Sequence, residues 1–124
     1  MIFEENNKAI YLQIADRIAD EIMSGRYDTE SRIPSVREFA ASVEVNVNTV
    51  MRSYERLTSK GLIYQKRGIG FFVAPDAKEK IMAERGEELM TKQLPPLFKT
   101  MKVMGITPDQ LKKSYEDFLR KYEV

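Results

Sequence analysis

The chain has 124 residues, 43% of them hydrophobic and 31% charged, with neither cysteine nor histidine. That length suits one ordinary domain or a small domain with a helical appendage. Without Cys there are no disulfides or thiolate ligands; without His the commonest general base, the Ser-His and Cys-His pairs and the usual zinc sites are lost as well. No run approaches the ~20 apolar residues of a membrane span and no signal-peptide pattern opens the chain, so a cytoplasmic protein with no cofactor and no membrane partner is expected.

The net charge of +1 conceals an uneven distribution. Residues 1–30 carry three basic and seven acidic groups, net −4; residues 31–74 carry seven basic and three acidic, net +4; residues 75–124 carry ten and nine, net +1. Phosphate attraction needs a local basic face, and the middle segment supplies one.

In chain order, residues 9–24 read as an amphipathic helix. Ile10, Ile14, Ile18 and Ile22 recur every fourth position, beside Leu12, Ala15, Ala19 and Met23, and Gly25 is a natural stop. A second, short helix starts near Pro34-Ser35 and ends near Ser42-Val43. Ser35 and Glu38 have capping-box spacing, and Val36, Phe39, Ala40 and Val43 form its apolar stripe.

Asn46 is a candidate cap for a third helix over 47–59, with Val47, Val50, Tyr54 and Leu57 toward the core. Asn48, Thr49, Arg52, Ser53 and Arg56 then point outward. Residues 62–66 and 71–73 read as two strands joined by Arg67-Gly68-Ile69-Gly70. Pro75 marks a boundary, giving domains 1–74 and 75–124.

Residues 76–92 read as a weakly amphipathic helix that Pro95-Pro96 breaks. Leu97, Phe98, Met101 and Met104 suggest a further short helix. Thr107-Pro108-Asp109-Gln110 combines a cap, an early Pro and a Gln at capping-box spacing before a last helix with Leu111, Tyr115, Phe118, Leu119 and Tyr122 on one face. The fold class is therefore mainly α with a small β-hairpin (α+β).

A short helix, a turn of about three residues and a helix with polar residues in its first turns has helix-turn-helix spacing, and the basic hairpin after it forms a wing. Singly, each feature has a plainer meaning: Asn46 a cap alone, Arg37 or Arg52 a solvated charge, the glycines a plain hairpin loop. Together they place amide, hydroxyl and guanidinium groups where a DNA major groove is read. Asn48 can pair with adenine, Arg52 with guanine, and Thr49 can touch a thymine methyl or a phosphate. Ser35 and Arg37 lie at an exposed helix N-terminus suited to phosphate. Lys66, Arg67 and the Gly68–Gly70 backbone suit the adjacent minor groove.

Residues 8–73 resemble the DNA-binding domain of GntR-type bacterial transcription regulators. The resemblance runs from Ile10-Tyr11-Leu12-Gln13-Ile14 through residues 33–40 and Asn48-Thr49-Val50 to Tyr54, Leu57, Gly61-Leu62-Ile63 and Gly68-Ile69-Gly70-Phe71-Phe72-Val73. It implies a winged helix-turn-helix dimer on a palindromic operator. Ser35 and Arg37 would contact phosphate or bases, residues 46–52 bases, and Gly68-Ile69-Gly70 the minor groove.

Many family members carry Arg where this chain has Val47. Valine cannot hydrogen-bond a base, so the expected contacts move to Asn46, Asn48, Thr49 and Arg52. The segment Asn46–Arg52 is similar to that of the YtrA-like subgroup, whose short helical C-terminal part implies a dimerisation tail. The apolar residues of the tail agree, since packing Leu97, Phe98, Met101, Met104, Leu111, Tyr115, Phe118, Leu119 and Tyr122 against a second copy would bury them. Folding back on the winged domain is the alternative.

The expected function is a sequence-specific DNA-binding regulator, a repressor acting as a homodimer on double-stranded DNA. The alternative is a winged-helix protein-interaction module that does not bind DNA. No catalytic triad, metal cluster or phosphate loop stands out, so no enzyme is expected. A short tail leaves little room for a small-molecule pocket within one subunit; an effector is unidentified, and a cleft between two subunits is where one would fit.

Overall fold

A computed structural model describes residues 8–122. Helix α1 (Ile10–Met23) is followed by α2 (Val36–Val43), α3 (Val47–Ser59), the antiparallel strands β1 (Ile63–Lys66) and β2 (Gly70–Val73), α4 (Ala77–Glu88), a π-helical turn (Leu89–Gln93), α5 (Leu94–Met104) and α6 (Pro108–Tyr122). The protein is thus mainly helical with a small sheet. No helix among the described residues is long and apolar enough to cross a membrane. The chain divides into two compact units between Ala83 and Glu84.

The core of the first unit joins Ile14, Ala15, Ile18, Ala19 and Ile22 of α1 to Val36, Phe39, Ala40 and Val43 of α2 and to Val50, Tyr54 and Leu57 of α3. The fourfold spacing of the α1 isoleucines sets that contact, except at Ile10, which is exposed in the first turn. Ala77 and Ile81 of α4 are buried in the same core. That burial carries the first unit past the boundary expected at residues 74 and 75.

Both ends of α2 are locally encoded. The Ser35 hydroxyl accepts from the Glu38 amide at 3.1 Å and the Glu38 carboxylate accepts from the Ser35 amide at 3.1 Å, completing the capping box. The helix ends on Glu44, whose φ of 55° is left-handed, a conformation that costs an L-residue about 1–2 kcal/mol. That bend lets the Val45 amide reach back to the Ala40 carbonyl at 3.1 Å, which already accepts the Glu44 amide, and turns the chain into α3 within three residues.

The hairpin pairs Ile63 with Val73 and Lys66 with Gly70. Two strands alone are marginal. This pair gains a third edge from the segment before α2: Ile33 donates its amide to the Phe71 carbonyl and Val73 donates to Ser31, both at 3.0 Å. The wing is therefore stitched to the base of α2.

In the second unit, Pro95 and Pro96 do not break the chain as expected. The π-helical turn leads directly into α5, with the Leu94 amide donating to the Leu89 carbonyl five residues back, and the two prolines occupy the first turn of α5. Gly105, at φ 72°, ends α5. Thr107 and Gln110 then form the expected reciprocal cap, at 2.8 and 3.2 Å.

Tyr54 is fully buried, and its hydroxyl donates to the Pro34 carbonyl just before α2. Tyr54→Phe leaves that carbonyl without its donor and is expected to lower unfolding free energy by about 1–2 kcal/mol in urea titrations. Burial raises the Tyr54 phenol above its ordinary range, and burial together with Glu21 raises that of Tyr27 to about 12. A raised phenol favours the fold below the unfolded value of about 10 and withdraws that stability as pH climbs through the folded value. Urea titrations should therefore show stability falling between pH 10 and about 12, less steeply in Tyr54→Phe.

Candidate nucleic-acid interface

The N-terminal turns of α2 and α3 and the tip of the wing carry the expected contact residues. Arg37 is exposed on the first turn of α2. Ser35 uses an oxygen lone pair for its cap, so its hydroxyl proton remains available to an anion. The amide donated by Ser35 holds the Glu38 carboxyl below the usual carboxylate range, and Arg32 lies 3.9 Å from that carboxylate. The one acidic group in this turn is thus committed to the cap and lies beside a cation.

Asn46 is the cap of α3: its Oδ1 accepts from the Asn48 amide at 2.7 Å. The cap leaves the Asn46 Nδ2 group as a donor. Asn48 and Arg52 are exposed one turn apart, and Thr49 is half-buried between the faces. The Arg52 guanidinium lies 3.9 Å above the centre of the Tyr11 ring.

Ser53 departs from expectation. It is fully buried, and its hydroxyl donates to the Tyr11 carbonyl at 2.7 Å, joining α3 to α1. The cause is helical period: Ser53 lies three residues after Val50 and four before Leu57, on the core stripe. Its expected outward, DNA-facing position is therefore corrected to a buried tie between helices.

Val47 departs in the opposite direction. Expected in the core, it is 37% exposed, and Met51 one turn later is 39% exposed. The first turn of α3 projects beyond the helices that bury Val50 and Tyr54. Val47 and Met51 therefore place an apolar strip beside Asn48 and Arg52.

In the wing, the Ile69 amide donates to the Lys66 carbonyl at 2.9 Å, closing a tight turn. Gly68 takes φ 77° there, which favours glycine. Arg67 and Ile69 are exposed at the tip, and Lys66 lies over the Phe72 ring at 4.5 Å. Arg32, which the sequence pattern did not single out, crosses the wing: a Cβ on Gly70 would sit 2.8 Å from its Nε. Gly70 is therefore a place for arginine to pass as well as a place to turn. The signal available in sequence was only an Arg three residues before the capping Ser.

Among the tail residues, Leu97, Phe98, Met104, Leu111, Tyr115, Phe118, Leu119 and Tyr122 are exposed. Met101 is not; it is buried by its own chain, which corrects its expected place on a surface offered to a second copy.

Residues 10–73 match the family described as bacterial regulatory proteins, gntR family. An uncharacterized HTH-type transcriptional regulator, YhcF of Bacillus subtilis, is 33% identical over 114 residues, 92% of this chain and 93% of the relative. The HTH-type transcriptional repressor YtrA of the same organism is 32% identical over 84 residues, 68% of this chain and 63% of the relative. The crystal structure of a putative GntR-family transcriptional regulator from Bacteroides thetaiotaomicron superposes with a TM-score of 0.82 at 50% identity, covering 91% of this chain and 98% of that one.

The buried position of Ser53 separates stability from recognition. Ser53→Ala is expected to cost about 1 kcal/mol in urea titrations. Calorimetry should show the lowered Tm, whereas Asn48→Ala, on the exposed face, should leave it within about 1 °C of the parent.

Proposed function

Because the chain belongs to the GntR family of DNA-binding bacterial transcription regulators, we propose that it is a repressor that binds a palindromic operator as a homodimer. The observation that carries the reading is the pairing of a donor-rich, exposed N-terminal half of α3 with a basic wing pinned to α2 by Arg32 and the shared strand edge. In this reading α3 enters the major groove by its N-terminus. Asn48 pairs with adenine and Arg52 with guanine, while Asn46 and Thr49 add polar contacts. Val47 and Met51 offer apolar contact to thymine methyls, which takes the place of the hydrogen bond an Arg at position 47 would make.

Ser35 and Arg37 hold phosphates at the start of α2, aided by the free amides of its first turn. Lys66, Arg67 and the Gly68–Gly70 backbone follow the minor groove. Ser53 makes no contact with DNA.

A second copy completes the reader. One helix covers too few base pairs for a unique site, and a twofold dimer sets two such helices on half-sites about one DNA turn apart or more. The exposed apolar residues of α5 and α6 support the pairing. Tyr115 is 62% exposed and Met104 69% exposed in the single chain, more apolar surface than a solitary helical tail keeps in water. The repressor assignment is supported by the name of the relative YtrA. A site occupied on DNA in the cytoplasm, with no chemistry performed, is the activity these residues equip.

Selection of bound duplex from a random pool tests the reading. The expected result is a palindromic consensus whose affinity falls steeply with salt. Absence of a consensus, or a consensus without symmetry, contradicts it. On the selected duplex, Arg37→Ala should weaken binding uniformly across sequences and reduce the salt slope by about one. Asn48→Ala should relax preference at one base pair per half-site by about 1–3 kcal/mol.

A further inference from the structure

Tyr11, the second residue of α1, is gripped by two adjacent residues of α3. Its carbonyl accepts the buried Ser53 hydroxyl at 2.7 Å, and its half-buried ring lies under the Arg52 guanidinium at 3.9 Å. The first contact fixes where the Tyr11 backbone stands relative to α3. The second uses that fixed ring to hold a long, exposed side chain that would otherwise sample many rotamers.

Stacking occupies one face of the guanidinium. Its N–H groups point outward in the plane of the fork, so they remain available to an acceptor while the group is held. Arg52 is four residues after Asn48, on the exposed side of the helix proposed to read bases. Arg37 and Arg67, by contrast, lie at a helix start and a turn tip.

We infer that Tyr11 is a positioning residue that pre-orders Arg52 to read a guanine through its O6 and N7 acceptors. Tyr11 makes no base contact of its own; it lowers the ordering cost Arg52 would otherwise meet on binding. The inference rests on the DNA reading proposed above.

The test is a double-mutant cycle on the full chain, titrated by fluorescence anisotropy with the selected duplex and with duplexes substituted at each guanine. Tyr11→Phe keeps the ring and should bind within about twofold of the parent. Tyr11→Leu should weaken binding about two- to fivefold, only on duplexes that keep the guanine read by Arg52. In an Arg52→Ala background Tyr11→Leu should change nothing further. Arg52→Lys keeps the charge but not the fork, leaves α1 untouched, and should lose the same guanine preference, which serves if Tyr11→Leu does not fold.

Additive losses in the cycle, a Tyr11→Phe defect as large as that of Tyr11→Leu, or equal losses on every substituted duplex would each overturn the inference. In the DNA-free protein, the Arg52 Nε–H resonance should show a ring-current shift that Tyr11→Phe keeps and Tyr11→Leu abolishes. A parent protein that selects no duplex overturns the DNA reading and this inference with it. A parent Arg52 resonance with no ring-current shift overturns the inference alone.

Discussion

Tyr54 is the side chain on which three elements converge. It projects from α3, donates its hydroxyl to the Pro34 carbonyl at the entrance to α2, meets the Phe39 ring of α2 with centroids 6.4 Å apart and stands edge-on to Phe71 of the wing at 5.1 Å. Aromatic pairs of this kind add about 0.5–1.5 kcal/mol beyond the area they bury. Their larger consequence is geometric. The start of α2, the body of α3 and the second strand of the wing are held by one buried residue, so the groups they present keep a fixed spacing. A surface that matches phosphates and bases on a stiff duplex needs such spacing before it needs any particular contact residue.

The tail obeys a different constraint. Among its described residues one large apolar side chain, that of Met101, is buried and many are exposed. The Phe118 and Tyr122 rings of α6, tilted against each other with centroids 4.8 Å apart, cover only part of each other. A single copy therefore has little apolar core there, which supports the proposed association. In the proposed dimer the winged unit supplies recognition and the tail supplies the second reader, with neither sufficient for a long operator.

The parts most legible in the sequence were those decided within a few residues. Ser35 with Glu38, Asn46 before α3, and Thr107 with Gln110 are caps whose hydrogen bonds close over two or three positions, and each formed as the spacing predicts. The parts that escaped were decided by tertiary context. Ser53 carries a polar side chain on a core-facing position, and the Tyr11 carbonyl arriving from α1 at 2.7 Å, shorter than the 3.3 Å to the Thr49 carbonyl of its own helix, makes that burial inexpensive. Val47 has the right period for the core but lies beyond its end. Pro95-Pro96 reads as a break, yet it follows a π-helical turn that places both rings where a helix tolerates them. Arg32 acquires its role from a Gly70 nearly forty positions later, a pairing no local pattern reveals.

The central claim is that a twofold pair of these rigid three-element readers engages DNA through both grooves. Footprinting of the full chain on its selected duplex, with dimethyl sulfate for guanine N7 in the major groove and hydroxyl radical for the minor-groove side of the backbone, tests it most directly. The account predicts two protected half-sites related by a dyad, each a major-groove segment flanked by a protected stretch of minor groove where the wing lies. A single protected segment without a dyad, or two half-sites with no minor-groove protection, would contradict it.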